Sequence, residues 1–151
     1  MVFNIRALIE VLGYPESHVN EVTQKVLEKL NTEPGMNIAK QNANKAEHIK
    51  DSIYSSLIEV ELKLKDLSTL MNFCYDYLPS SVEVIDTEKI AVPVREFTNG
   101  LNDLLAKLHQ YNLTVHSLME QVEKLSKKPG QEFKINESSD TEEEIDLTKE
   151  S

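Results

Sequence analysis

An α+β fold is predicted by three features of the chain. Four segments read as strands from their period-two alternation, two carry apolar stripes at helical spacing, and a long C-terminal stretch follows a heptad pattern. Taken in order they read β-α-β-β-α-β-α, the split βαβ arrangement of a ferredoxin-like antiparallel sheet with an added long C-terminal α-helix. Three regions are expected. These are a core over residues 1–92, a helix over 93–128 that packs on the core or on a second subunit, and a disordered acidic tail over 129–151.

Phe3, Ile5, Ala7, Ile9 and Val11 alternate with Asn4, Arg6, Leu8 and Glu10, the mark of a half-buried strand. Gly13-Tyr14-Pro15 ends it, and Pro15 suits the first turn of a helix. Val19, Val22, Val26, Leu27 and Leu30 then recur at helical spacing, up to a break at residues 31–35. Met36 to about Lys45 reads as a polar edge strand, followed by a polar loop over residues 47–51. In the third strand Tyr54, Ile58, Val60, Leu62 and Leu64 share one face, and Ser55, Leu57, Glu59, Glu61 and Lys63 share the other. Asp66 is placed to cap a second helix, whose stripe is Leu67, Leu70, Met71, Cys74 and Leu78. Pro79-Ser80-Ser81 stops that helix before a fourth strand from Val82 to Ile85. The long helix over residues 93–127 would extend roughly 50 Å at 1.5 Å per residue. The core is expected to set Ile5, Ile9, Ile58, Val60, Leu62, Val82 and Val84 against Val22, Val26, Leu70 and Cys74.

Hydrophobic residues make up 40% of the 151, enough for one core. No apolar run reaches the roughly 18 residues of a membrane span. The start, Met1-Val2-Phe3-Asn4-Ile5-Arg6, lacks the basic-then-apolar order of a signal peptide, and the single cysteine, Cys74, has no partner for an intramolecular disulfide. A cytoplasmic protein away from membranes is the expectation. The formal charge is −10, and eight acidic residues against two lysines place −6 of it between Gly130 and Ser151. The acidic body argues against a general nucleic-acid binder, which needs concentrated Lys and Arg. Lys124, Lys127 and Lys128 do lie together, but at a helix C-terminus, where cations offset the helix dipole.

The common motifs of catalysis and cofactor binding are missing. Gly13, Gly35, Gly100 and Gly130 are too far apart for a phosphate-cradling loop. No His-Glu-x-x-His or Cys-x-x-Cys pattern points to a metal. Cys74 lies on an apolar stripe and reads as a buried structural thiol rather than a nucleophile. His109 and His116 stand seven residues apart on one helix, about 10.5 Å along its axis and too far for one shared metal ion. Tyr75, Asp76 and Tyr77, just before Pro79, are the one candidate ligand site, at the junction of helix and strand. No catalytic residue, metal or cofactor is expected, and the chain is not expected to be an enzyme.

Two stretches carry a resemblance. Asn72-Phe73-Cys74-Tyr75-Asp76-Tyr77-Leu78-Pro79-Ser80-Ser81-Val82-Glu83-Val84-Ile85 resembles a family of small archaeal proteins, as does Leu101-Asn102-Asp103-Leu104-Leu105-Ala106-Lys107-Leu108-His109-Gln110-Tyr111. The layout of residues 3–125 is similar throughout. The resemblance implies an archaeal cytoplasmic origin and no particular activity. In topology the chain is also similar to small-molecule-binding regulatory domains of the ACT type, a likeness that transfers no function by itself.

What the pattern does offer is surfaces. With the expected strand order fourth, first, third, second, Leu8, Leu57 and Ile85 fall on neighbouring strands on the uncovered side of the sheet. There they would form an apolar centre ringed by Arg6, Glu10, Glu59, Glu61, Lys63 and Glu83. Either that face associates or the C-terminal helix lies across it. In the long helix Leu105, Asn112 and Met119 take heptad position a, and Leu101, Leu108, Val115 and Val122 take d. Leu104, Tyr111, Leu118 and Leu125 fall at g, so the stripe is three positions wide. Asp103–Lys107, Glu120–Lys124 and Glu123–Lys127 are i,i+4 pairs expected on the exposed side. Phe133, Ile135, Ile145 and Leu147 stand among acids in the tail, a composition that can fold onto a basic partner.

The expected function is therefore a homo-oligomeric protein-binding or scaffolding module, with a protein partner for the tail. The alternative is an ACT-like domain that binds a small metabolite at a subunit interface. Deleting residues 130–151 is expected to leave the melting temperature unchanged within error. A fall of several degrees would mean that the tail packs on the domain.

Overall fold

A computed structural model describes residues 2–127. The predicted tail, with Phe133, Ile135, Ile145 and Leu147, lies outside the described residues. The described residues divide into two units, with the boundary between His109 and Gln110, so the first part of the long helix belongs with the sheet. In order the elements are β1 (Phe3–Gly13), α1 (Glu16–Thr32), β2 (Met36–Ala43), β3 (Glu47–Lys50), β4 (Ile53–Leu64), α2 (Leu67–Tyr77), β5 (Ser81–Val84) and α3 (Val94–Ser126). The sheet has five strands in the order β2-β4-β1-β5, with β3 also on β4, and every pairing is antiparallel.

The segment over residues 47–51, expected as a loop, is largely the additional strand β3. Its residues are all exposed, so it carries no alternation to read. It forms because β4 is twelve residues long and runs past the end of β2, leaving backbone groups that Glu47, His48 and Lys50 pair opposite Ser55, Tyr54 and Ile53. Asn44 bridges the gap between the two edge strands. Its amide N–H donates to the Leu57 carbonyl, and its side-chain oxygen accepts the Leu57 N–H at 2.6 Å.

The core lies on one side of the sheet. Phe3, Ile5, Ala7 and Ile9 of β1 and Ile58, Val60, Leu62 and Leu64 of β4 are buried against Leu30 of α1 and Leu67, Phe73 and Tyr77 of α2. The alternation in β1 and β4 therefore gave the correct inward faces. Val82 did not follow: it lies opposite Ala7 on the covered side, yet is 38% exposed because β5 is a four-residue edge strand. Val84 does pack on the core.

Helix α2 corrects the predicted stripe. Asp66 is its N-cap, accepting from the Thr69 N–H at 2.8 Å and the Thr69 hydroxyl at 2.6 Å, and the Thr69 contacts hold the Asp66 carboxyl below its usual range. Leu67, Phe73 and Tyr77 are its buried apolar residues, whereas Leu70, Met71 and Cys74 are half-buried and Leu78 is exposed. Leu78 ends the helix in the left-handed region, at φ 45°, with its N–H on the Cys74 carbonyl. The reason for the rotation is that α2 has two apolar neighbours. Phe73 and Tyr77 join the sheet core, and Leu67 and Met71 meet α3 at Gly100. A single stripe drawn through both sides averages them.

Gly100 is the point of closest approach. A Cβ there would stand 3.1 Å from Leu67 Cδ2, so only hydrogen fits without movement. On either side of it, Glu96 accepts the Leu67 N–H at 3.0 Å, and Lys107 Nζ reaches Asp76 at 3.2 Å. Asp103 turns to Ser68 rather than to Lys107. The expected Asp103–Lys107 pair is thus replaced by two contacts to α2, because this flank of α3 is its docking side and not its exposed side. Glu123–Lys127 does pair along the helix, at 2.9 Å. The early part of α3 packs on α2, and not across the uncovered side of the sheet.

Candidate functional site

The uncovered face of the sheet is built by the residues that alternate with the core. Asn4, Arg6, Leu8 and Glu10 of β1 face outward beside Leu57, Glu59, Glu61 and Lys63 of β4. The bulge in β2 at Ala39 shifts the register so that Lys40 lies opposite Glu61. Four charged rows converge there. Arg6 Nη2 is 3.1 Å from Glu61, Nη1 is 3.1 Å from Glu83, Nε is 3.9 Å from Glu59, and Lys40 Nζ is 3.0 Å from the other Glu61 oxygen. The hydrogen bond to Glu61 raises the Arg6 guanidinium above its usual range. Lys40 first, then Arg6, lower the Glu61 carboxyl.

This arrangement inverts the predicted one. Leu8 lies opposite Glu59 and Ser81, Leu57 opposite Glu10, and the Ile85 N–H bonds the Asn4 carbonyl. The Arg6 row therefore separates Ile85 from Leu8 and Leu57. The centre of the face is charged and its apolar residues are divided. The strand order alone could not reveal this; it needed the register, which the alternation leaves open by steps of two residues.

Tyr75, Asp76 and Tyr77 do not converge on one pocket. Tyr75 has Lys107 Nζ 4.8 Å from its ring centroid, and Asp76 pairs with the same ammonium. Tyr77 points into the core, with its ring stacked on Phe73 at 5.3 Å and its hydroxyl donating to Glu33 at 3.1 Å. Burial and the Glu33 carboxylate push its phenol well up. Burial also raises the Cys74 thiol, the wrong direction for a thiolate nucleophile. Among the described residues no group of three His, Cys, Asp or Glu is placed to hold a metal ion. Two cavities among the described residues are open to solvent. One of about 380 Å³ lies between Asn20, Thr23 and Asn44, and another of about 440 Å³ lies beside Asp66, Arg95 and Glu96. No helix among the described residues is long and apolar enough to cross a membrane.

The remaining surface is α3. Its contacts with α2 run through Glu96, Gly100, Asp103 and Lys107, which occupy heptad positions c and f. Positions a and d lie roughly 100–160° around the helix from these. Leu101, Leu105 and Leu108 are accordingly 39%, 51% and 48% exposed. Over residues 110–126, Met119 and Val122 are exposed and Asn112 and Val115 are half-buried. Two features of the site escaped the sequence reading. Gly100 was signalled by its place inside a helical pattern, where glycine costs about 1 kcal/mol relative to alanine unless it serves packing. The Arg6 network was signalled by alternating acids on β4, but only the register brings its members together. The model of the MJ0538 family matches residues 4–150, nearly the whole chain. No curated protein and no solved structure matches it.

Proposed function

The chain belongs to the MJ0538 family, and we propose that it works as a self-associating module that binds or scaffolds other proteins. The observation that carries this reading is the division of labour around α3. One flank docks on α2, while the apolar a and d residues remain in contact with water. A continuous stripe of that kind is stable in solution when another helix covers it. The family match runs on to residue 150, so the acidic segment with Phe133, Ile135, Ile145 and Leu147 falls within the span the family model describes. It serves in this reading as the arm that takes a protein partner. An archaeal cytoplasmic origin belongs to the same proposal.

Light scattering at tens of micromolar tests it directly, with a mass of two or more chains expected. Leu108→Glu with Val115→Glu should weaken association more than ~100-fold, since each change buries an unpaired carboxylate in the seam. Because neither residue is among the α3 contacts to α2, the variant should be a folded monomer. A wild-type monomer, or an unchanged oligomer after the double substitution, would sink the proposal.

The ACT-like reading keeps one support, the sheet order β2-β4-β1-β5 with α1 and α2 on one side, as in a ferredoxin-like domain. A thermal-shift screen of amino acids and nucleotides separates the two. A ligand that binds only the folded form raises the melting temperature, and such a hit would favour the regulatory domain.

A further inference from the structure

Resting on the self-association reading, we propose that two copies meet through α3 in parallel and in register, so that Asn112 of one chain faces Asn112 of the other. The stripe from Leu101 to Val122 spans three heptads, about 32 Å of helix. Along it Asn112 is the single polar residue at positions a and d. The orientation of the second helix decides what Asn112 meets. In a parallel pair each a residue faces its own copy, so the two carboxamides can donate to and accept from one another across the seam. In an antiparallel pair a residues face d residues. Asn112 would then lie against Leu108 or Val115, and each chain would hide an amide with no partner. Leaving such a group unsatisfied costs about 1–3 kcal/mol, whereas the parallel pair satisfies both. The other layers accept the parallel arrangement without conflict. Leu105 and Met119 meet their copies at a, and Leu101, Leu108, Val115 and Val122 meet theirs at d. No charged residue lies at a, d or g between Leu101 and Val122, so no like charges are forced together in this register.

The docking geometry allows it. Glu96, Gly100, Asp103 and Lys107 hold α2 on the side of the helix turned away from the seam. A partner helix can therefore run alongside from Leu101 onward without displacing the Gly100–Leu67 contact.

The test places single nitroxide labels at Thr98→Cys and at Ser126→Cys, each in the full chain with Cys74→Ala, and measures distances between copies by pulsed electron resonance. Positions 98 and 126 are both heptad a, two heptads either side of Asn112. Parallel, in-register chains give a distance under ~20 Å at both, set by the interaxial spacing and the label arms. An antiparallel pair centred near Asn112 gives ~40 Å at both, from the 28 intervening residues. Short distances at both positions support the proposal, and long ones overturn it while leaving self-association intact. A monomer by light scattering overturns self-association itself. Asn112→Leu, added to each labelled chain, should keep the oligomer but produce a mixture of short and long distances. If the distances stay short in that variant, Asn112 does not set the orientation, and that part of the proposal fails.

Discussion

Val60→Asp is expected to abolish the folded state at neutral pH. Val60 is fully buried in the middle of β4, paired with Ala7 of β1 on one side and Gln41 of β2 on the other. Its side chain points to the face covered by α1 and α2, where Leu30, Phe73 and Tyr77 contribute to the same core. The described residues place no cation in that core to meet a carboxylate. An unpaired buried charge costs upwards of ~3 kcal/mol, on top of the lost apolar contacts, against a total stability of about 5–15 kcal/mol for a domain. The far-ultraviolet circular dichroism of the variant should show no cooperative melt, or a urea midpoint far below that of the parent. The neighbouring Glu59→Val change provides the contrast, since Glu59 faces outward and sits only 3.9 Å from Arg6 as its weakest partner. It should stay within about 1 kcal/mol of the parent. A Val60→Asp protein as stable as the parent would mean that the strand is slipped by one residue.

Phe73→Ala should cost about 3–5 kcal/mol, the largest effect expected for an apolar truncation in this chain. Phe73 is the largest of the fully buried side chains and stacks on Tyr77. Its removal leaves a void between α2 and the sheet that the surrounding β1 and β4 side chains can only partly close. Urea denaturation followed by tyrosine fluorescence gives the loss directly. Leu78→Ala, five residues on, should change stability by less than ~0.5 kcal/mol, because Leu78 is exposed beyond the end of the helix. Equal losses for the two would restore the stripe first read from the sequence and overturn the placement of α2.

The contrast between these two residues shows what the sequence could and could not say. β1 and β4 were legible because each has one face in the core and one in water, so the period-two pattern is a direct record of burial. The single apolar stripe failed for α2 because that helix is covered on two sides, by the sheet at Phe73 and by α3 at Leu67. β3 was invisible since none of its side chains is buried and its strand identity rests on backbone pairing alone. On the outward face of the sheet the mutual positions of the charged residues depend on a bulge at Ala39 and on the pairing of Arg6 with Glu61 and Glu83, neither of which leaves a signature in spacing. The span of the long helix α3 was readable in the sequence. Which of its flanks docks on α2 was not, because Glu96, Asp103 and Lys107 look like solvated residues until Leu67, Ser68 and Asp76 are brought beside them.

The salt-bridge network centred on Arg6 bears on how this protein behaves when it is concentrated. A bare apolar sheet face invites a second copy to stack on it, face to face. Here three glutamates, one arginine and one lysine occupy the centre of that face, and its outermost carboxylates, Glu59 and Glu83, are the most solvated of the three. Two such faces brought together would strip water from these charged groups and set the outer carboxylates of one face against those of the other. Face-to-face stacking of two copies through this side of the sheet is thereby discouraged. Raising the salt concentration, which shields these carboxylates, should therefore be the condition under which the protein first becomes prone to precipitate.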